Sequence, residues 1–104
     1  MTNRVFIVEE TNKDISDATR HGDVTIMFPS SEFRPSVWHY SMPRVIRLKL
    51  VDMSFDPDSD CIIALGPSPL LISAIAAALS VYKRVSVLYW NASSSTYVKR
   101  EETI

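Results

Sequence analysis

The sequence predicts a three-layer α/β sandwich in which a small, Rossmann-like, mostly parallel sheet ends in an antiparallel edge strand. Three observations carry this reading. Runs rich in β-branched and aromatic residues at 4–9, 24–28, 61–65 and 84–90 are apolar almost throughout, as strands buried on both faces of a parallel sheet are. Helical patterns fall between several of these runs, and parallel neighbours need long crossovers that usually contain a helix. A shorter run at 96–100 follows a serine-rich turn, as an antiparallel partner would.

Each element has its own local reason. Arg4-Val-Phe-Ile-Val-Glu9 is the first strand, broken by Thr11-Asn12-Lys13-Asp14. Asp14 or Ser16 then caps a short helix that ends near His21-Gly22. Asp23 leads into a second strand, Val24-Thr-Ile-Met-Phe28, which Pro29-Ser30-Ser31 terminates, and residues 32–41 read as irregular. Residues 42–53 fit two patterns. Ile46, Leu48 and Leu50 alternate as a strand would, whereas Met42, Val45, Ile46, Lys49, Leu50 and Met53 follow helical spacing, with Ser41 as cap and Pro43 in the first turn. The need for a crossover decides for the helix. An acidic, turn-rich loop, residues 54–60, precedes the third strand. After Gly66, Ser68 stands as N-cap with Pro69 at the first helical position, and the helix runs to about Tyr82. The fourth strand, the turn at 91–95 and an edge strand carrying Lys99 and Arg100 close the chain; charge on an edge discourages pairing with strangers.

Length and composition bound the function. The 104 residues suit one domain, residues 1–104, and 46% hydrophobic with 22% charged residues describes an ordered globular chain. Eleven basic against twelve acidic residues give a formal charge of −1, which supplies no general pull toward nucleic acid or an acidic membrane. Cys61 is the only cysteine, so a disulfide framework and a thiol-rich metal site are both excluded, and a reducing compartment fits. The apolar run near the N-terminus is too short for a secretory signal, and residues 69–82 fall below the roughly 20 needed to span a bilayer. A cytoplasmic protein is expected, with no membrane partner.

Val5-Phe-Ile-Val-Glu-Glu10, then Asp14-x-Ser16-x-Ala18 with Gly22 before a second strand, form one set of motifs. Asp60 before an apolar strand, Gly66 after it, and a closing hairpin with Tyr97-Val98 continue the set. Together they resemble a family of small α/β proteins encoded by tailed bacteriophages. The resemblance implies a viral protein of the host cytoplasm with a Rossmann-like core. It brings no activity, cofactor or catalytic residue with it.

Gly66-Pro-Ser-Pro69 places a helix start behind a strand, where backbone N–H groups favour an anion. It lacks the glycines and the Lys-Ser/Thr pair of a phosphate loop, and each proline removes a donor, so it reads first as a structural cap. The carboxyl ends of the strands are the usual ligand edge of such a sheet, and Glu10, Asn12, Ser30, Ser68 and Asn91 fall there as ligand-binding candidates. The neighbouring Glu9, Asp14 and Asp17 read as solvated loop charges. Asp56, Asp58 and Asp60 lack the glycine and the closing Glu of a calcium loop, so no metal site is assigned. Ser68, His21 and His39 do not specify a triad, and Cys61 reads as a small core residue. Residues 33–49 mix aromatic and basic side chains, and Arg34, Trp38, Arg44 and Arg47 are the nucleic-acid candidates.

The helix at 70–81 carries no charge, although an outer helix normally shows a charged face. Ser73, Ala76, Ala77 and Ser80 form a small-residue face that permits close helix approach, and a second subunit is expected to cover it. The leading expectation is a non-enzymatic protein that forms a homo-oligomer and binds a host or viral macromolecule. A second is a nucleotide or cyclic-nucleotide binder using the strand ends, and a third is a nucleic-acid binder. No cofactor is assigned.

Overall fold

The computed structural model describes residues 3–9, 13–28, 42–65 and 69–104. Five strands form one sheet: β1 (Arg4–Glu9), β2 (Asp23–Phe28), β3 (Cys61–Ile63), β4 (Arg84–Asn91) and β5 (Thr96–Thr103). A six-residue 3-10 helix, η1 (Ser16–His21), joins β1 to β2. Helix α1 (Met42–Asp52) precedes β3, and α2 (Pro69–Tyr82) joins β3 to β4. The strand order is β2-β1-β3-β4-β5, parallel except for the β4–β5 hairpin. The protein is thus α/β with a mixed five-stranded sheet, mostly parallel, with the expected antiparallel edge.

Alternation along the strands divides the core in two. Phe6, Val8, Ile62, Val85 and Val87 face one way and meet Ile46 and Leu50 of α1 and Leu70, Leu71, Ala74 and Ala78 of α2. Phe55 fills the gap beneath the helices, its ring 5.3 Å from Phe6 and 5.4 Å from Tyr82. Val5, Ile7, Cys61, Ile63 and Leu88 face the other way, against Ala18 of η1 and Tyr97. Both long helices therefore pack on one face, and the only helix placed on the other face among the described residues is η1.

Residues 42–52 settle as helix for a visible reason. Ile46 and Leu50, four apart, are fully buried, whereas Leu48 between them is 59% exposed. A strand would have put all three on one face. β3 stops at Ile63, two residues short of the expected end, while β5 continues to Thr103 because it pairs with all of β4, from Asn91↔Thr96 to Arg84↔Thr103. Among the described residues no helix is long and apolar enough to cross a membrane.

Candidate functional site at the carboxyl edge of the sheet

The strand order reverses between β1 and β3: from β1 the chain goes to β2 on one side and later enters β3 on the other. In open α/β sheets the crevice outside the carboxyl ends at such a point is where ligands bind. A cavity of about 310 Å³ lies there, lined by Lys13 and Asp14 after β1, Ala64 and Leu65 after β3, Trp90 near the end of β4 and Tyr97 near the start of β5.

Local structure fixes the walls. Asp14 Oδ1 accepts from the Ser16 backbone N–H (2.9 Å) and from Ser16 Oγ (2.7 Å), which turns the chain from β1 into η1. Those bonds hold the Asp14 carboxyl below its ordinary value. The Ala64 N–H donates to the Leu88 carbonyl at 2.9 Å, so the chain leaving β3 stays against β4. Trp90 and Tyr97 are direct cross-strand partners, with ring centroids 5.0 Å apart and planes at 66°.

Tyr97 is held from the η1 side. Its backbone N–H donates to Asp17 Oδ2 (2.7 Å), and its carbonyl accepts from Arg20 Nη2 (2.8 Å) and lies 3.2 Å from His21 Nε2. Asp17 and Arg20 pair with each other at 3.0 Å. These contacts occupy the backbone of the edge strand where it begins, so η1 covers part of an edge otherwise open to pairing. Tyr97 is only 4% exposed, yet its hydroxyl has no hydrogen-bond partner among the described residues. Burial first, then the negative charges of Asp14 and Asp17, hold the phenol above its ordinary pKa. It is a protonated donor at neutral pH. Trp90, by contrast, is 51% exposed.

The expected site residues fall in several places. Glu10, Asn12, Ser30 and Ser68 lie outside the described residues. Asn91 is exposed at the end of β4, and its Oδ1 accepts the Ser93 N–H at 3.0 Å, shaping the hairpin turn. Arg34 and Trp38 also lie outside the described residues, whereas Arg44 and Arg47 are exposed on α1. On α2, Ala76 and Ser80 are exposed and Ser73 is half-buried, but Ala77 is buried in the core. The small-residue face therefore does not point outward as a unit. Ala77 lies about 100° round the helix from Ala76, and that rotation carries it into the helix–sheet interface. Asp17, expected as a solvated loop charge, is the clamp on Tyr97.

The sequence reading missed Lys13, Leu65, Trp90 and Tyr97 as members of one site. The one available signal was an aromatic residue on each side of a short turn, which cross-strand pairing brings together. A second groove, about 440 Å³, is an open depression along α1 lined by Val45, Leu48, Lys49, Val51 and Asp52. Among the described residues no group of three or more His, Cys, Asp or Glu side chains is placed to hold a metal ion.

No curated protein and no solved structure matches the chain. The family model described as phage Pam3 gp32-like protein matches residues 3–103, nearly the whole sequence. The motifs that resemble phage proteins, from Val5 to Tyr97, all lie inside that match. The chain therefore belongs to the phage Pam3 gp32-like protein family.

Proposed function

We propose that this phage protein works by binding, and that its ligand is a small molecule held at the carboxyl edge of the sheet. In this reading the architecture is a reduced three-layer, Rossmann-like fold, with η1 as the thin third layer. The observation that carries the proposal is the cavity lined by Tyr97, a residue only 4% exposed whose hydroxyl has no hydrogen-bond partner among the described residues. Buried polar groups are nearly always hydrogen-bonded, and an orphan beside a cavity at the ligand edge is explained by an occupant. Cys61, a nucleophile by chemistry, is buried and protonated, which favours binding over covalent catalysis through that thiol. A thermal-shift screen of chemically varied small molecules tests the reading, because a ligand that binds only the native state raises the melting temperature by mass action. A broad screen in which nothing stabilises the protein at millimolar concentration overturns it.

A second reading, self-association in the service of binding a host or viral macromolecule, is supported by the outward face of α2. Pro69, Ile72, Ala76 and Ser80 are exposed there, Ile72 at 67%, and none is charged. Sedimentation velocity of the wild type and of Ile72→Lys tests it: the wild type is expected to sediment as an oligomer and the variant as a monomer. A wild type that is monomeric at high micromolar concentration removes this reading.

A further inference from the structure

Resting on the carboxyl-edge reading, we propose that the cavity takes a planar heteroaromatic molecule of nucleobase or nucleoside size, stacked on Trp90 and hydrogen-bonded to the Tyr97 hydroxyl. The walls specify this class in three ways. First, Trp90 lines the cavity and is half exposed, and Tyr97 braces it edge to face, so the indole offers a platform for a flat ring. Stacking on such a platform tolerates any base, because every base has a π-face. Second, the polar groups are matched to a heterocycle. Tyr97 brings a donor that nothing else among the described residues satisfies. Asp14 uses Oδ1 for both of its bonds to Ser16, and among the described residues nothing bonds Oδ2, which can accept from a ring or exocyclic N–H. An all-carbon ring would leave the Tyr97 hydroxyl unpaired at the cost of a buried hydrogen bond.

Third, size and charge set the upper limit. About 310 Å³ is the lower end of the range for small-molecule sites, enough for a base with its sugar and too small for a dinucleotide. Among the described lining residues Lys13 is the one cation, and Asp14, its neighbour in sequence, brings an opposite charge to the same lining. A polyphosphate chain finds little here. Ala64 and Leu65 add apolar surface to the described lining, which suits the edge of a base.

The test uses Trp90 as its own reporter. Trp38→Phe leaves one indole in the chain, and its emission is followed during titration with adenosine, guanosine, cytidine and uridine. At least one nucleoside is expected to quench it saturably and to raise the melting temperature. Tyr97→Phe keeps the ring and removes only the hydroxyl, so affinity for that nucleoside should fall about tenfold while the melting temperature of the unliganded protein stays in place. Trp90→Leu, followed by thermal shift, should weaken binding by a similar or larger factor. If non-aromatic fragments such as sugars, amines or carboxylates stabilise the protein through Tyr97 and no nucleoside does, the heteroaromatic class is overturned and the cavity reading stands. If nothing binds, both fall. Nucleoside binding that survives both Tyr97→Phe and Trp90→Leu unchanged overturns the placement of the site.

Discussion

Arg4 and Asp60, 56 residues apart in sequence, lock the amino-terminal end of the sheet. Asp60, 1% exposed, accepts from the Arg4 backbone N–H (3.1 Å), from Arg4 Nε (3.3 Å) and Nη2 (2.8 Å), and from the Asp56 N–H (2.8 Å). Arg4 also donates to the carbonyls of Met53 (2.8 Å) and Ser54 (2.7 Å) just beyond α1. One side-chain pair thus joins the start of β1, the end of α1 and the start of β3. The carboxylate satisfies two backbone donors as well as the guanidinium, so its loss leaves more than one group unpaired.

Asp60→Ala should therefore destabilise the fold by about 3 kcal/mol or more, the usual cost of breaking a buried, hydrogen-bonded ion pair. Asp60→Asn, which keeps an acceptor oxygen, should cost less. Urea unfolding of both variants measures this. A loss below about 1 kcal/mol for the alanine variant means the pair is not the lock described.

Gly22 sits at the joint between η1 and β2 with φ 155°, and a Cβ built there would lie 2.6 Å from the Asn3 carbonyl oxygen. That same carbonyl accepts the Asp23 N–H at 2.9 Å, so the backbone cannot retreat without loosening the entry of β2. Gly22→Ala is expected to cost about 1–3 kcal/mol through strain and a displaced contact. The unfolding midpoint should fall with an unchanged denaturant slope; an unchanged midpoint contradicts the tight approach.

How far the sequence carried this fold depended on whether its signals were local. The four parallel strands, α2 and the hairpin declare themselves by apolar runs and turn residues, and helix α1 followed from the crossover that parallel pairing demands. Asp60 was invisible as a core residue because it stands in an acidic loop among Asp56 and Asp58. Its bonds to Arg4 form across 56 residues of sequence, which no local pattern shows. The site was less legible for the same reason. Trp90 and Tyr97 meet through strand pairing, and Lys13, Asp14, Ala64 and Leu65 reach them only through a strand order that no short window encodes. Ala77 shows the opposite limit, since adjacent small residues on a helix have divergent environments that composition does not separate.

Cys61 tests the tightness of the core on the η1 side. It is buried between Val5 and Ser86, its register partners, and burial pushes its thiol up to about 11. At pH 8 about one thiol in a thousand is then ionised in the native state, against a far larger fraction for a free cysteine. Ellman's reagent should react with the native protein orders of magnitude more slowly than with the urea-unfolded chain. Comparable rates would mean that β3 is open to solvent at its first residue.

Acid should release the clamp between η1 and β5. The Asp17 carboxyl is held below its ordinary value by the Tyr97 N–H first and then by the Arg20 hydrogen bond. A carboxylate with a lowered folded value stabilises the native state fully above its unfolded value, about 4, and loses that contribution as pH falls through the lowered one. Stability should therefore decline below about pH 4, with Asp14 and its Ser16 bonds acting in the same direction. Asp17→Asn removes the ionisation, so its urea midpoint should vary less steeply with acid than that of the wild type. Tyr97 would report the change locally: release of its backbone should speed amide exchange at residue 97 while the amides of Val85 and Val87 stay protected. Parallel pH profiles for the wild type and Asp17→Asn would show that the clamp contributes nothing.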